Sequence, residues 1–261
     1  MKIMCFNLYL GCPEKERFDN IIKFVNKYKP DVIGLLELNG WDKDNFKRLN
    51  MFKEKTGFKE SIFCKTKTGF HIGLFSNKIF LDSQIIIEGL WHGAIIVKVK
   101  SGVEDIDLIL THLSPESEDY RLREIDLIIN KINLENKVVL MGDLNSLSSL
   151  DNYDEKELLK EMKKLNTHKF TSRFGESHLR KEVISKIQEF GLVDALKLFS
   201  DKFEYSVPTT FNKDVDHITK LRLDYIFVTN DLKKFVKDIQ IIRNDETDRL
   251  SDHFPILIEI E

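Results

Sequence analysis

The stretch Val138-Val-Leu-Met141-Gly142-Asp143-Leu144-Asn145 reads as a buried strand that stops at a glycine and delivers an acid and an amide, two apart, at its end. The reverse arrangement closes the chain, where Ser251-Asp252-His253 stands directly before the apolar run Phe254-Pro-Ile-Leu-Ile-Glu-Ile260. Working outward, the placement recurs. Asn7 follows Lys2-Ile-Met-Cys-Phe6, Glu37 follows Val32-Ile-Gly-Leu-Leu36, His112 follows Ile106-Asp-Leu-Ile-Leu-Thr111, and Asp224 precedes Tyr225-Ile-Phe-Val228. If the runs that end in a polar group point one way and the two that begin with one point back, a single edge gathers Asn7, Glu37, His112, Asp143, Asn145, Asp224, Asp252 and His253.

Hard oxygen donors beside imidazoles form the inventory for magnesium-assisted attack on a phosphate ester. Glu37 can hold a cation whose shell is completed by water and substrate oxygens, with Asn7 in support; alone, the two read as a surface acid and a turn residue. Asp143 can orient or deprotonate the attacking water, and the Asn145 amide can donate to a phosphoryl oxygen; the bland alternative is a turn that caps the following helix. His112, as imidazolium, can stabilise charge on the phosphate. Asp224 and His253 can pair, the acid fixing the imidazole tautomer. Asp252 either ligates metal or orients its neighbour. Arg222 alternates to the same side as Asp224, to reach the phosphate or simply to pair with an acid. Tyr9, Trp41, Trp91, Phe170 and Phe174 are base-stacking or lipid-contact candidates, with core packing the ordinary alternative.

Elsewhere the apolar spacing predicts helices over 13–28, 42–55, 120–132, 154–165 and 182–190, and strands over 58–64, 70–75, 85–88, 94–100, 223–229 and 236–242. Strands and helices alternate in two halves, so the expected architecture is α/β: a four-layered sandwich of two packed mixed β-sheets flanked by helices, one domain over residues 1–261. A net charge of -3 denies the chain a globally basic face, so nucleic-acid affinity must come from a local patch. The best candidate is 160–181, with seven Lys or Arg against two Glu. Three scattered cysteines exclude a disulfide framework and a zinc cage. With no export signal or long apolar run evident, the expectation is a soluble cytoplasmic protein without membrane contact, and a monomer.

Taken in order, Phe6-Asn7, Leu36-Glu37, Thr111-His112-Leu113, Gly142-Asp143-Leu144-Asn145, Leu223-Asp224-Tyr225 and Ser251-Asp252-His253 resemble the signature of the endonuclease/exonuclease/phosphatase superfamily, the pancreatic-deoxyribonuclease-like fold. The resemblance spans residues 3 to 259. It implies hydrolysis of phosphate esters with Mg2+ or Mn2+. It maps metal binding onto Glu37 and Asn7, water activation onto Asp143, phosphate binding onto Asn145 and His112, and a hydrogen-bonded pair onto Asp224 and His253.

Departures narrow the substrate. Abasic-site endonucleases of the superfamily usually carry a second Asn two residues after the first, where this chain has Tyr9. Inositol-polyphosphate phosphatases usually show Cys-Asp-Arg where this chain reads Leu223-Asp224-Tyr225. Secreted sphingomyelinases bring an export signal and exposed hydrophobic loops. What remains is similar to the broad group of intracellular nucleases and tyrosyl-DNA-phosphodiesterase-like enzymes. Pro208-Thr-Thr-Phe211 fits that group and makes Thr210 a phosphate-contact candidate. The leading expectation is a phosphodiesterase acting on nucleic acid. A phosphomonoesterase or a phospholipid or inositol-phosphate esterase on the same core is the alternative, and a silent binding module a third.

Overall fold

The computed structural model describes residues 1–101, 104–164, 168–211 and 219–261. Among the described residues twelve strands and six α-helices follow in the order β1 (Lys2–Asn7), α1 (Lys15–Tyr28), β2 (Val32–Leu36), α2 (Lys47–Thr56), β3 (Glu60–Cys64), β4 (Ile72–Ser76), β5 (Phe80–Ile86), β6 (Ala94–Val99), β7 (Ile106–His112), α3 (Glu118–Ile129), β8 (Lys137–Asp143), α4 (Glu155–Lys164), α5 (His168–Phe174), α6 (Glu182–Glu189), β9 (Leu192–Asp194), β10 (Asp224–Thr229), β11 (Val236–Ile241) and β12 (Ile256–Ile260). One sheet runs β11-β12-β1-β2-β4-β3 and the other β5-β6-β7-β8-β10-β9.

Side chains of a strand alternate between its faces, so a strand covered on both sides must be apolar throughout. In β1, Ile3 and Cys5 enter the layer between the sheets, where they meet Leu108, Leu110, Val139, Met141 and Ile226. Met4 and Phe6 point the other way, onto Phe18, Ile21 and Val25 of α1 and Phe52 of α2. The second sheet repeats the scheme: Ile109, Leu140 and Phe227 pack outward against Ile125 and Ile128 of α3 and Val183, Ile184 and Ile187 of α6. The result is helix, sheet, sheet, helix, the four layers expected from the sequence. Gly34 lets the sheets close together, because a β-carbon there would stand 2.6 Å from both Leu110 Cδ1 and Met141 Cε.

Three local expectations change. The second helix begins at Lys47 rather than at 42, because Asp44, Asn45 and Phe46 all take left-handed backbone, which no α-helix can include. The strand expected at 85–88 starts at Phe80; it is an edge strand with Leu81 and Ile85 exposed, so no burial pattern announces it. Between the helices expected at 154–165 and 182–190 lies one that the apolar spacing did not predict, α5. The side chain of Phe170 lies outside the described residues.

Candidate active site

β1 and β2 run parallel, as do β7 and β8, while β12 is antiparallel to β1 and β10 to β8. Carboxyl ends of four strands therefore meet amino ends of two. The register is specific: His112 pairs with Asp143, and Asp143 with Asp224, across β7, β8 and β10. Residues directly opposed on neighbouring strands share a face, so these three side chains emerge together. On the other sheet Asn7 pairs with Leu36, and the chain then turns at Glu37, whose φ is 56°. Gly142 permits the close approach beneath Asp143, since a β-carbon there would lie 1.8 Å from the backbone oxygen of Thr111.

The two sheets join at this edge through Asn7, whose Nδ2 lies 3.2 Å from Glu37 Oε1 and 3.4 Å from Asp143 Oδ2. The second Glu37 oxygen accepts from the Leu10 amide at 2.9 Å. His253 Nδ1 sits 2.7 Å from Asp224 Oδ2, and its Nε2 faces Asp143 Oδ2 at 3.7 Å. His112 Nε2 approaches the same Asp143 oxygen at 3.4 Å. Asp143 is thus bracketed by two imidazoles, and its other oxygen accepts from the backbone N–H of Asn145 at 3.0 Å.

Charge follows from this packing. Burial works to raise the Asp143 carboxyl, but His253 and His112 outweigh it and hold the group well below the usual carboxylate range. Burial would depress His253, yet Asp224, Asp252 and Asp143 lift it well above an ordinary histidine. His112 is likewise raised, burial being overcome by Asp143. Asp252 is pushed up to about 7, by burial first, against the pull of His253 and with Glu37 adding to the rise.

The structure brings Asn7, Glu37, His112, Asp143, Asn145, Asp224, Asp252 and His253 to this one edge. Arg222 does not join them, and of its two sequence readings the ion pair holds: it is wholly buried, with Nε 2.8 Å from Asp151 and Nη2 2.6 Å from Asp194. Thr210 is exposed, with its hydroxyl bonded to Asp248. The buried neighbour Thr209 instead donates to the Ser251 carbonyl, tying down the Ser251-Asp252-His253 segment. The Asn145 amide is partly spent within the protein, donating to Leu113 O at 2.9 Å and accepting from Arg173. Trp41 and Phe174 are core residues, whereas Tyr9 and Trp91 are half-buried.

Sequence reasoning missed two groups. Arg173 of α5 reaches Asn145 Oδ1 and bears on the Asp143 charge; the basic excess over 160–181 was the only sign of it. His92 stacks on His112 with ring centroids 4.2 Å apart, and a histidine in a Trp-His-Gly turn gives no signal at all. The segments that carry these groups are stapled by a buried polar stripe on α3. Glu124 accepts from the amides of Trp91 and Ser114, Arg121 donates to Ser114 O, and Glu118 accepts from Ser146 and Val183.

The donor set suits a divalent cation. Asp143, Asp224 and His253 each offer one atom, all within 4.8 Å of one another. Glu37 and Asp252 add two carboxyls, and the upward push of one beside the other is what a hard cation neutralises.

Comparison with known proteins agrees with this geometry. The model of the endonuclease/exonuclease/phosphatase family matches residues 4–253. No curated protein sequence matches the chain. Among solved structures, the 3'-5' exonuclease from Neisseria meningitidis is 20% identical with a TM-score of 0.73, covering 100% of both chains. An AP endonuclease from Archaeoglobus fulgidus is 19% identical at 0.70, covering 100% of this chain and 99% of its own. D. rerio TDP2 complexed with single strand DNA product is 17% identical at 0.67, covering 99% and 97%. Four layers, an edge of converging acids and imidazoles, and a match over nearly the whole length lead to one conclusion: the chain belongs to the endonuclease/exonuclease/phosphatase family and is a metal-dependent phosphoester hydrolase.

Proposed function

We propose that residues 1–261 form one catalytic domain that cleaves phosphodiesters of nucleic acid by in-line attack of water, with magnesium as the metal. The observation that carries this reading is the bracketing of Asp143 by His112 and His253 at 3.4 and 3.7 Å, opposite Glu37 and Asn7. A carboxylate kept ionised by two imidazoles can orient a water for attack. His253, paired with Asp224 and lifted well above an ordinary histidine, can instead donate to a phosphoryl oxygen. His112 and Asn145 lie where they can hold phosphoryl oxygens, and Arg173 supports the Asn145 amide. Glu37, with Asn7 and Asp252, would hold the cation, which when bound neutralises charge on the phosphate.

Nucleic acid is favoured as substrate because related folds include a 3' phosphatase bound to a product DNA hairpin and a TDP2 bound to single strand DNA product. Half-buried Tyr9 and Trp91 beside the site offer faces for bases. No helix among the described residues is long and apolar enough to cross a membrane. All three cysteines are buried and free, in keeping with a reducing cytoplasmic setting.

The test is a panel of single-stranded DNA, duplex DNA, RNA, 5′-tyrosyl DNA, bis-p-nitrophenyl phosphate and inositol phosphates, each with and without magnesium. Magnesium-dependent cleavage of a nucleic-acid diester is the expected result. Cleavage of monoesters alone would replace the reading with a phosphatase.

A further inference from the structure

A histidine that binds metal or anchors a reacting group normally has its second ring nitrogen tied to a carbonyl or carboxylate, which fixes tautomer and ring plane. His112 lacks that tie. Its Nε2 faces Asp143 at 3.4 Å, while its Nδ1 is buried without a hydrogen-bond partner among the described residues. The terminal torsion of an imidazole is broad, so one long contact leaves the ring poorly determined.

The missing constraint is supplied from behind. The His92 ring lies 4.2 Å from that of His112 at an interplanar angle of 27°, a stacked pair. His92 is itself held firmly: it is 3% exposed, and Thr68 Oγ1 lies 2.8 Å from its Nδ1. Thr68 is braced in turn by Thr66 at 3.3 Å, and the Thr66 amide donates to His71 Nδ1 at 3.0 Å. Phe70 packs its ring against His92, and the Trp91 amide is anchored on Glu124 at 2.6 Å.

We infer that His92 is a positioning residue, a fixed shelf whose stacked ring sets the plane of His112 in place of the hydrogen bond that Nδ1 lacks. This rests on the phosphate-binding role proposed for His112. Burial, and then the neighbouring His112, push His92 down to about 2, so the shelf is uncharged.

The test compares His92→Ala, His92→Phe, Thr68→Val and His112→Ala in magnesium-dependent hydrolysis of bis-p-nitrophenyl phosphate, alongside 15N spectra of the His112 ring. His92→Ala is expected to lower kcat about 10- to 100-fold with KM changed less than about threefold, and to shift and broaden the His112 ring signals. His92→Phe keeps the stacked face and should restore kcat to within about threefold of wild type. Thr68→Val loosens only the anchor and should fall between, which carries the test if the alanine variant does not fold. Wild-type kcat and unchanged ring signals in His92→Ala, with His112→Ala inactive, would overturn the shelf while leaving the role of His112 intact. Phe as damaging as Ala at equal thermal stability would also overturn it. Full activity in His112→Ala would instead remove the underlying reading.

Discussion

Replacing Arg222 by Met separates the two roles that the sequence left open for it. In the structure the guanidinium gives Asp194 two contacts, at 3.1 and 2.6 Å, and Asp151 one at 2.8 Å, with all three residues at most 2% exposed. The loss is unequal for the two acids. Asp151 keeps Lys197 Nζ at 2.9 Å, whereas among the described residues Asp194 retains only the amide of Leu196 at 3.2 Å. An uncompensated buried carboxylate costs about 3–5 kcal/mol, and in a chain of this size that lowers the thermal midpoint by roughly 10 °C. Because the penalty resides on Asp194, adding Asp194→Asn should return about half of it. Urea unfolding followed by tryptophan fluorescence measures the stability, and hydrolysis well below the melting range measures KM. The expected outcome is a large loss of stability with KM unchanged. Undiminished stability with a tenfold or greater rise in KM would show that the guanidinium meets the substrate, and the buried-pair reasoning would fail.

Other consequences are equally open to measurement. Asp143→Asn and His253→Ala should each reduce turnover by at least about 100- to 10,000-fold while circular dichroism remains that of the folded protein. Gly142→Ala must move the β7 backbone away from a β-carbon 1.8 Å from Thr111 O, so it should cost roughly 3 kcal/mol in denaturant unfolding and lower activity together with stability. Burial lowers the His71 pKa below 6.5 in spite of Asp42, so the unfolded chain takes up this proton first. Stability from this site is therefore complete above about pH 6.5 and falls as pH drops toward the depressed folded value, by at most about 1.4 kcal/mol per pH unit. His71→Gln, compared with wild type in urea titrations from pH 5 to 7.5, should flatten that part of the profile.

The sequence is most legible where one physical rule acts alone. Buried strands must be apolar, so a polar residue at a strand end stands out, and Asn7, Glu37, His112, Asp143, Asp224 and His253 all announced themselves this way. The layer order followed from the same rule, as the opposite faces of Ile3 and Met4 show. Legibility fails where a residue's role depends on a distant partner. Arg222 and Asp224 sit two apart, yet one enters a buried ion pair and the other faces His253. Thr209 and Thr210 look interchangeable until Asp248 and the Ser251 carbonyl are placed beside them. His92 becomes significant only because β6 pairs with β7 and sets the turn before β6 beside the end of β7. Glu118, Arg121 and Glu124 of α3 are charged yet buried, because Trp91, Ser114, Ser146 and Val183 supply them with partners that only the tertiary fold brings near.

If side chains at the ends of six strands enclose one hard-cation pocket, crystals soaked in manganese reveal the ion there. An anomalous difference peak should lie within coordination distance of the Glu37 carboxylate, in the space bounded by Asn7, Asp143 and Asp252. No peak at that edge, with manganese bound elsewhere on the molecule, would contradict the account.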